Sequence, residues 1–308
     1  MAFYLGIDLG GTRVRAGVIT ELGEVVARRA HPSRAAEGPE AVFAQLNLAV
    51  SECLAGAGRS PAEIEAIGMG APGPLDRSRG LVLHPPNLPG WDEIPVVEIL
   101  QARWGRPVFL ENDANAAAIG EARRGAGQGR SPVFYVTVST GIGAGIVNED
   151  RLYRGFSDAA GELGQTIIDP QGPPCGFGRR GCLEEVASGG GLLRQAQRLH
   201  PGQDFQGAED IFAYAEKGET WARSLVLAGA MAVGRAIGNA INLLNPAAVV
   251  IGGGLSRAGA IWWDPLRREV DRTALPVSRA GLNLGPAALG DDAGLVGAAL
   301  LARDGLKK

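Results

Sequence analysis

Two stretches of this chain share one layout. Residues 3–9, Phe-Tyr-Leu-Gly-Ile-Asp-Leu, make an apolar run that stops at Gly10-Gly11-Thr12, and strand character resumes at residues 14–19. Residues 133–138 repeat the run and stop at Ser139-Thr140-Gly141-Ile142-Gly143-Ala144-Gly145, after which Ile146-Val147 resume it. A short apolar run bounded by turn residues reads as a buried strand, and strand, glycine turn, strand is a hairpin signature. The repeat implies two halves of like architecture. A third cluster, Gly252-Gly253-Gly254, follows the apolar run at 247–251. Glycine lets the backbone approach a ligand closely and take positive φ, and successive N–H groups in such turns form anion-binding concavities. The hydroxyls of Thr12, Ser139 and Thr140 add donors. One such cluster is equally well read as a tight turn. Three clusters at the carboxyl ends of strands, where α/β sheets bind ligands, favour a ligand-binding role over three separate turns.

Between these markers the pattern alternates. Residues 23–29, 64–69 and 108–110 read as further strands. Residues 39–57, 96–104, 114–124, 207–243 and 292–303 read as helices, and the Pro- and Gly-crowded stretch 70–90 as loop. The alternation specifies an α/β fold in two lobes, which suits 308 residues. Lys plus Arg number 30 against 33 Asp plus Glu, a net charge of −3. That balance opposes nucleic-acid binding, for which a basic surface is required. No apolar run is expected to reach the roughly 20 residues that span a bilayer, and the first residues lack a signal-peptide pattern. Three cysteines make no disulfide framework, so a cytoplasmic setting is expected. The lysines are Lys217, Lys307 and Lys308, which leaves no Walker A lysine and little scope for Schiff-base chemistry.

Two carboxylates stand out. Asp8 ends the first strand beside Gly10-Gly11 and suits Mg²⁺, which takes one or two carboxylates together with phosphates; alternatively it caps its own turn. Asp113 opens a helix, where the N-terminal dipole favours the charged form; local sequence alone favours a helix cap. Gly141-x-Gly143-x-Gly145 is not a dinucleotide fingerprint, because strand rather than helix follows it.

Taken together, Leu5-Gly6-Ile7-Asp8-Leu9-Gly10-Gly11-Thr12, Glu111-Asn112-Asp113-Ala114-Asn115-Ala116-Ala117, Ser139-Thr140-Gly141-Ile142-Gly143-Ala144-Gly145 and Gly161-Glu162-Leu163-Gly164-Gln165 resemble the ROK family of sugar kinases, repressors and related proteins, and within it the ATP-dependent glucokinases. The resemblance covers nearly the whole chain. It implies a two-lobed actin-like ATPase (ribonuclease H-like) fold with a central cleft, and phosphorylation of a hexose, glucose at its 6-hydroxyl first. By the same resemblance Asp8, Gly10, Gly11 and Thr12 match one phosphate-binding hairpin. Ser139, Thr140, Gly141 and Gly143 fall in the other, and Gly252, Gly253 and Gly254 match the adenosine side. Asp113 matches the catalytic base. Gly73, Asn87, Asn112, Glu162, Gln165 and Glu184 fall at sugar-contacting positions. ATP and Mg²⁺ are the implied cofactors, with Asp8 on the magnesium directly or through water. A homodimer or homotetramer, without nucleic-acid or membrane partners, is expected. The lobes are expected at 1–113 plus 292–308 and at 114–291.

The chain departs from the family at its zinc motif. That motif supplies a His and three Cys, whereas here the His position is Gln165 and the middle Cys position is Phe177, leaving Cys175 and Cys182. Structural zinc takes four N or S ligands, so no zinc is expected. The two thiols are expected to be reduced, with the loop held by packing such as Phe177 turned inward. The departure leaves open a kinase for another hexose or an N-acetylhexosamine, or a weakly active sugar-binding protein. A sugar-sensing repressor is disfavoured, because ROK repressors carry an N-terminal helix-turn-helix and this chain opens on its first core strand.

Overall fold

The computed structural model describes residues 1–307 and divides the chain into two compact units. Unit 1 comprises Met1–Gly129, Asp150–Leu152 and Asp291–Lys308, and unit 2 comprises Arg130–Glu149 and Tyr153–Gly290. In chain order the first elements are β1 (Phe3–Leu9), β2 (Arg13–Thr20), β3 (Val25–Pro32), α1 (Pro39–Ala57), β4 (Ile64–Ala71), β5 (Leu75–Asp76), β6 (Leu81–Val82), α2 (Val96–Trp104), β7 (Val108–Asn112) and α3 (Asp113–Arg124). Then come β8 (Val133–Val138), β9 (Ile142–Asn148), β10 (Arg151–Tyr153), α4 (Leu183–Ala187), α5 (Gly189–Leu199), α6 (Ala208–Glu216) and α7 (Thr220–Leu244). The chain finishes with β11 (Ala248–Gly252), α8 (Ala260–Thr273), α9 (Pro276–Arg279), β12 (Asn283–Pro286) and α10 (Ala293–Gly305).

Each unit is built on one five-stranded sheet, and the two sheets are wired alike. The orders are β3-β2-β1-β4-β7 and β10-β9-β8-β11-β12. In each, a hairpin strand pair is antiparallel (β1 with β2, β8 with β9), and the inner hairpin strand continues the sheet in parallel (β1 with β4, β8 with β11). Parallel neighbours need crossover connections, which α1 provides before β4, α2 before β7 and α8 before β12. The layout shared by residues 3–19 and 133–147 is therefore a topological repeat. It differs from expectation in one detail. The second turn is confined to residues 139–141, and Gly143 and Gly145 lie inside β9, paired with Thr137 and Tyr135. The stretch 70–90 likewise contains the two-residue hairpin strands β5 and β6.

The core of unit 1 fills both faces of its sheet. α1 buries Val42, Leu46, Ala49, Val50 and Cys53, a helical stripe, against β2 and β3. It starts with Pro39 in its first turn and stops at Gly58, whose φ of +64° lets its N–H bond the carbonyls of Ala55 and Leu54. On the other face α10 packs against β1, β4 and α3. Contact there is backbone to backbone. A Cβ on Gly68 would lie 1.9 Å from the Ala298 carbonyl oxygen, and one on Gly297 would lie 1.6 Å from that of Ala116. Docking α3 on α10 is also why unit 1 runs on to Gly129, beyond the boundary expected at residue 113.

Unit 2 centres on α7, packed by α4, α6 and α8. At 25 residues α7 is long and apolar enough to cross a membrane by length and composition, contrary to the expectation for this chain. Its buried Ala222, Val226, Ala230, Val233, Ile237 and Ile241 join β8, β11 and α8 in the core of unit 2.

The tight approach at Gly297 gives a stability prediction. Gly297→Ala should cost roughly 1–3 kcal/mol or more through overpacking, read as a lower urea midpoint. An unchanged midpoint would contradict the α3–α10 contact.

Candidate functional site

In unit 1 the expected residues collect at the carboxyl ends of three neighbouring parallel strands. Strand register places Asp8 of β1 beside Gly70 of β4, Gly70 beside Glu111 of β7, and Ala71 beside Asn112. Asp8 is paired across the hairpin with Arg15, whose guanidinium donates to its carboxylate at 2.8 Å. Burial pushes the Asp8 carboxyl above its usual range; Arg15 opposes the rise and Asp291 adds to it. Nothing local in the sequence marks Asp291; it lies in a 3₁₀ turn, Gly290–Asp292, that leads into α10, and at the start of α10 a Cβ on Gly294 would lie 3.1 Å from Asp8 Cγ. The turn after β1 is closed by the Gly10 N–H donating to the Arg13 carbonyl at 2.9 Å. Ser33 braces it, its hydroxyl donating to the Gly11 carbonyl and its N–H to the Thr12 carbonyl. Asn87 comes to this turn, with its Cβ 2.8 Å from where a Cβ on Gly11 would lie.

Asn112 ends β7 and caps α3, its Oδ1 accepting from the N–H groups of Ala114 at 3.0 Å and Asn115 at 3.2 Å. The cap is thus Asn112, and Asp113 is the first helical residue. Asp113 Oδ1 accepts from the Ala114 N–H at 2.7 Å, in the first turn, where the helix dipole favours a carboxylate. A Cβ on Gly73 would lie 3.7 Å from Asn112 Nδ2, and one on Gly70 would lie 3.4 Å from Asp113 Cα. Unit 1 therefore brings Asp8, Gly10, Gly11, Thr12, Gly73, Asn87, Asn112 and Asp113 to one end of its sheet.

Unit 2 assembles its candidates around the turn between β8 and β9. Ser139 N–H donates to the Gly141 carbonyl at 2.9 Å. The start of α5, capped by Ser188, is pinned to this turn by Gly189 N–H on the Ser139 carbonyl at 2.7 Å and Gly190 N–H on the Thr140 carbonyl at 3.0 Å. Glu184 Oε2 accepts from the Ile142 N–H at 2.8 Å. Gly164 approaches the same strand, where an added Cβ would lie 2.2 Å from the Ile142 carbonyl oxygen. Glu162 reaches the surface, yet partial burial of its carboxyl and then the charge of Glu184 push it above the usual range. The Gln165 side-chain amide makes no hydrogen bond among the described residues. Gly252 ends β11, and Gly253, at φ +83°, comes so near β8 that a Cβ would lie 2.3 Å from the Val138 carbonyl oxygen. Gly254 then opens a 3₁₀ turn.

The loop at 165–182 is held by backbone pairing. Cys175 N–H donates to the Arg179 carbonyl and Gly181 N–H to the Pro173 carbonyl, both at 2.8 Å, so that 173–181 folds back on itself. Phe177 is not turned inward: it is 71% exposed at the tip, with the Arg179 guanidinium 5.7 Å from its ring centre. The donor set does not fit structural zinc. Two thiols remain, Gln165 offers no imidazole and Phe177 no donor at all. Among the described residues no group of three or more His, Cys, Asp or Glu is placed to hold a metal. A hydrogen bond from the Cys182 thiol, chiefly, and bonds from Phe177, Arg179 and the Arg179 side chain hold Cys175 below the usual thiol range. Burial first, and then Cys175 itself, push Cys182 up to about 11, while burial also raises Cys53. The thiolate is the reactive form. Iodoacetamide at pH 7 should therefore label Cys175 well before the buried Cys53 and Cys182, as read by peptide mass spectrometry. Labelling of either buried thiol ahead of Cys175 would contradict this environment.

The model of the ROK family matches residues 4–305. The glucokinase of Halalkalibacterium halodurans is 35% identical over 98% of this chain and 95% of its own length. The crystal structure of the ROK hexokinase from Thermus thermophilus superposes with a TM-score of 0.84 at 39% identity, covering 99% of each chain. That of a ROK family glucokinase from Streptomyces griseus, in complex with glucose and AMPPNP, does so with a TM-score of 0.83 at 35% identity, covering 98% of this chain and 100% of the other.

Proposed function

Because this chain belongs to the ROK family, we propose that it is an ATP-dependent glucokinase that transfers the γ-phosphoryl group to the 6-hydroxyl of glucose. The observation that carries the reading is the junction at residues 112–113. There a strand end in the phosphate-turn row gives a capping amide and, next to it, a carboxylate at a helix start. The 35%-identical glucokinase relative and the glucose- and AMPPNP-bound neighbour support the choice of sugar and nucleotide.

Asp113 takes the proton of the sugar hydroxyl as its oxygen attacks the γ-phosphorus and the β–γ bridging oxygen leaves with ADP. A positioned base of this kind contributes about 10²–10⁴-fold. Most of the remaining acceleration comes from positioning and charge stabilisation, as in phosphoryl transfer generally. Asn112 spends Oδ1 on its helix cap, which leaves its amide NH₂ for a sugar hydroxyl. Gly73, Asn87, Glu162, Gln165 and Glu184 supply further sugar contacts, the carboxylates as acceptors from hydroxyls. The turns at Gly10–Thr12 and residues 139–143 receive the phosphates, through the N–H groups of Gly11, Thr12, Thr140 and Gly141 and the hydroxyls of Thr12, Ser139 and Thr140, and Gly252–Gly254 the adenosine side. Mg²⁺ suits the hard oxygen donors of this row. Asp8, charge-reinforced by Asp291, would hold it directly or through water, and the ion would neutralise the triphosphate. We further propose a cytoplasmic homodimer or homotetramer that works without zinc.

The test pairs a coupled ADP-release assay with glucose calorimetry. Asp113→Ala should lower kcat by about 10²–10⁴-fold while the glucose Kd stays within a few-fold. Full turnover in the variant would refute the assignment, as would loss of sugar binding equal to the loss of rate.

A further inference from the structure

The residue immediately before Asn112 is a carboxylate that the chemistry above does not use. Glu111 is 4% exposed, and burying a charge is costly unless it is paired and hydrogen-bonded. Its bonds join three separate pieces of unit 1. Oε1 accepts from the backbone N–H of Asn112 at 3.1 Å and from the side-chain amide of Asn115 at 3.2 Å. Oε2 lies 3.3 Å from Arg77 Nε, and that same Nε donates to the Leu110 carbonyl at 3.2 Å. Arg77 directly follows β5, in the segment that begins with Gly73. One buried side chain thus grips the backbone of the sugar-binding residue, the first turn of the helix that Asp113 opens, and the loop that carries Gly73.

We propose that Glu111 is a positioning residue: through Asn112 and Asn115 it fixes the attitude of the Asp113 carboxylate, and through Arg77 it sets the Gly73 loop against the sugar. The inference rests on the reading of Asp113 as the base. It assigns separable effects to the two oxygens. The Oε1 side governs the chemical step, because a misplacement of about 1 Å at a reacting group costs up to roughly 10²-fold in rate. The Oε2 side governs how well the loop meets the sugar. A carboxylate that only stabilised the fold would alter the amount of folded protein and its melting temperature. It would leave the kinetic constants of each folded molecule unchanged.

The experiment measures kcat, glucose KM and ATP KM, with kcat normalised to glucose-binding stoichiometry from calorimetry, for Glu111→Leu, Glu111→Gln, Arg77→Gln and Asp113→Asn. Glu111→Leu removes the acceptor and should lower kcat by roughly 10–100-fold with ATP KM unchanged. Glu111→Gln keeps the Oε1 acceptor and should recover most of that rate. Both Glu111→Gln and Arg77→Gln break the ion pair and should raise glucose KM about tenfold, with kcat within about threefold. If Glu111→Leu does not fold, the KM shifts of the two glutamine variants decide the matter. Wild-type kcat and KM per binding-competent molecule in the folded Glu111 and Arg77 variants, with Asp113→Asn inactive, would overturn the positioning role alone. An active Asp113→Asn would instead remove the base reading, and this inference with it.

Discussion

Everything chemical in unit 1 hangs on a strand that becomes a helix without a connecting loop. β7 ends at Asn112 and α3 begins at Asp113. A helix start leaves backbone N–H groups without intrahelical partners, and here Asn112 Oδ1 takes two of them, an arrangement worth about 1 kcal/mol. The same economy places the next residue in the field of the helix N-terminus. Strand register then does the rest. Because β1, β4 and β7 are parallel and in step, Asp8, Gly70 and Glu111 share one row, and the proposed phosphate turn and the proposed base emerge from the same end of one sheet. α10 packs backbone-tight against β1 and β4, at Gly6 and Gly68, beneath that row.

The features that were legible in the sequence were those written in local chemistry. The hairpin strands, the turn at Gly10–Thr12, the stripe of α1 and the span of α2 follow from apolar periodicity and glycine. What stayed hidden depends on partners distant in the chain. Gly143 and Gly145 look like turn residues, yet cross-strand pairing draws them into β9. Phe177 looks like a core residue, yet its loop is short and backbone-paired, which leaves the ring at the tip. The apolar length of α7 reflects burial on several sides within unit 2 rather than a bilayer. In the candidate site, Asp8, Asn112 and Asp113 carried a motif that could be read directly. Glu111 stands in the same motif but its pairing does not, and Arg15, Asp291 and Arg77 stand in none, because each acquires meaning only from its partner in space.

The loop at 165–182 is kept in place by its own backbone. Backbone bonds across 173–181, and Gly181 at φ +70°, where a Cβ would lie 1.5 Å from the Asp169 carbonyl oxygen, fix its course. Its far end leads straight into α4 and Glu184, which braces the β8–β9 turn. The course of the loop is thus tied to a proposed sugar contact and to a proposed phosphate turn at once.

The central claim is phosphoryl transfer to a sugar primary alcohol, and the product reports it most directly. Glucose incubated with ATP, Mg²⁺ and the purified protein, followed by ³¹P and ¹³C nuclear magnetic resonance, should give a phosphomonoester with phosphorus coupling at carbon 6. The absence of any sugar phosphate, or a phosphate on another carbon, would contradict the account.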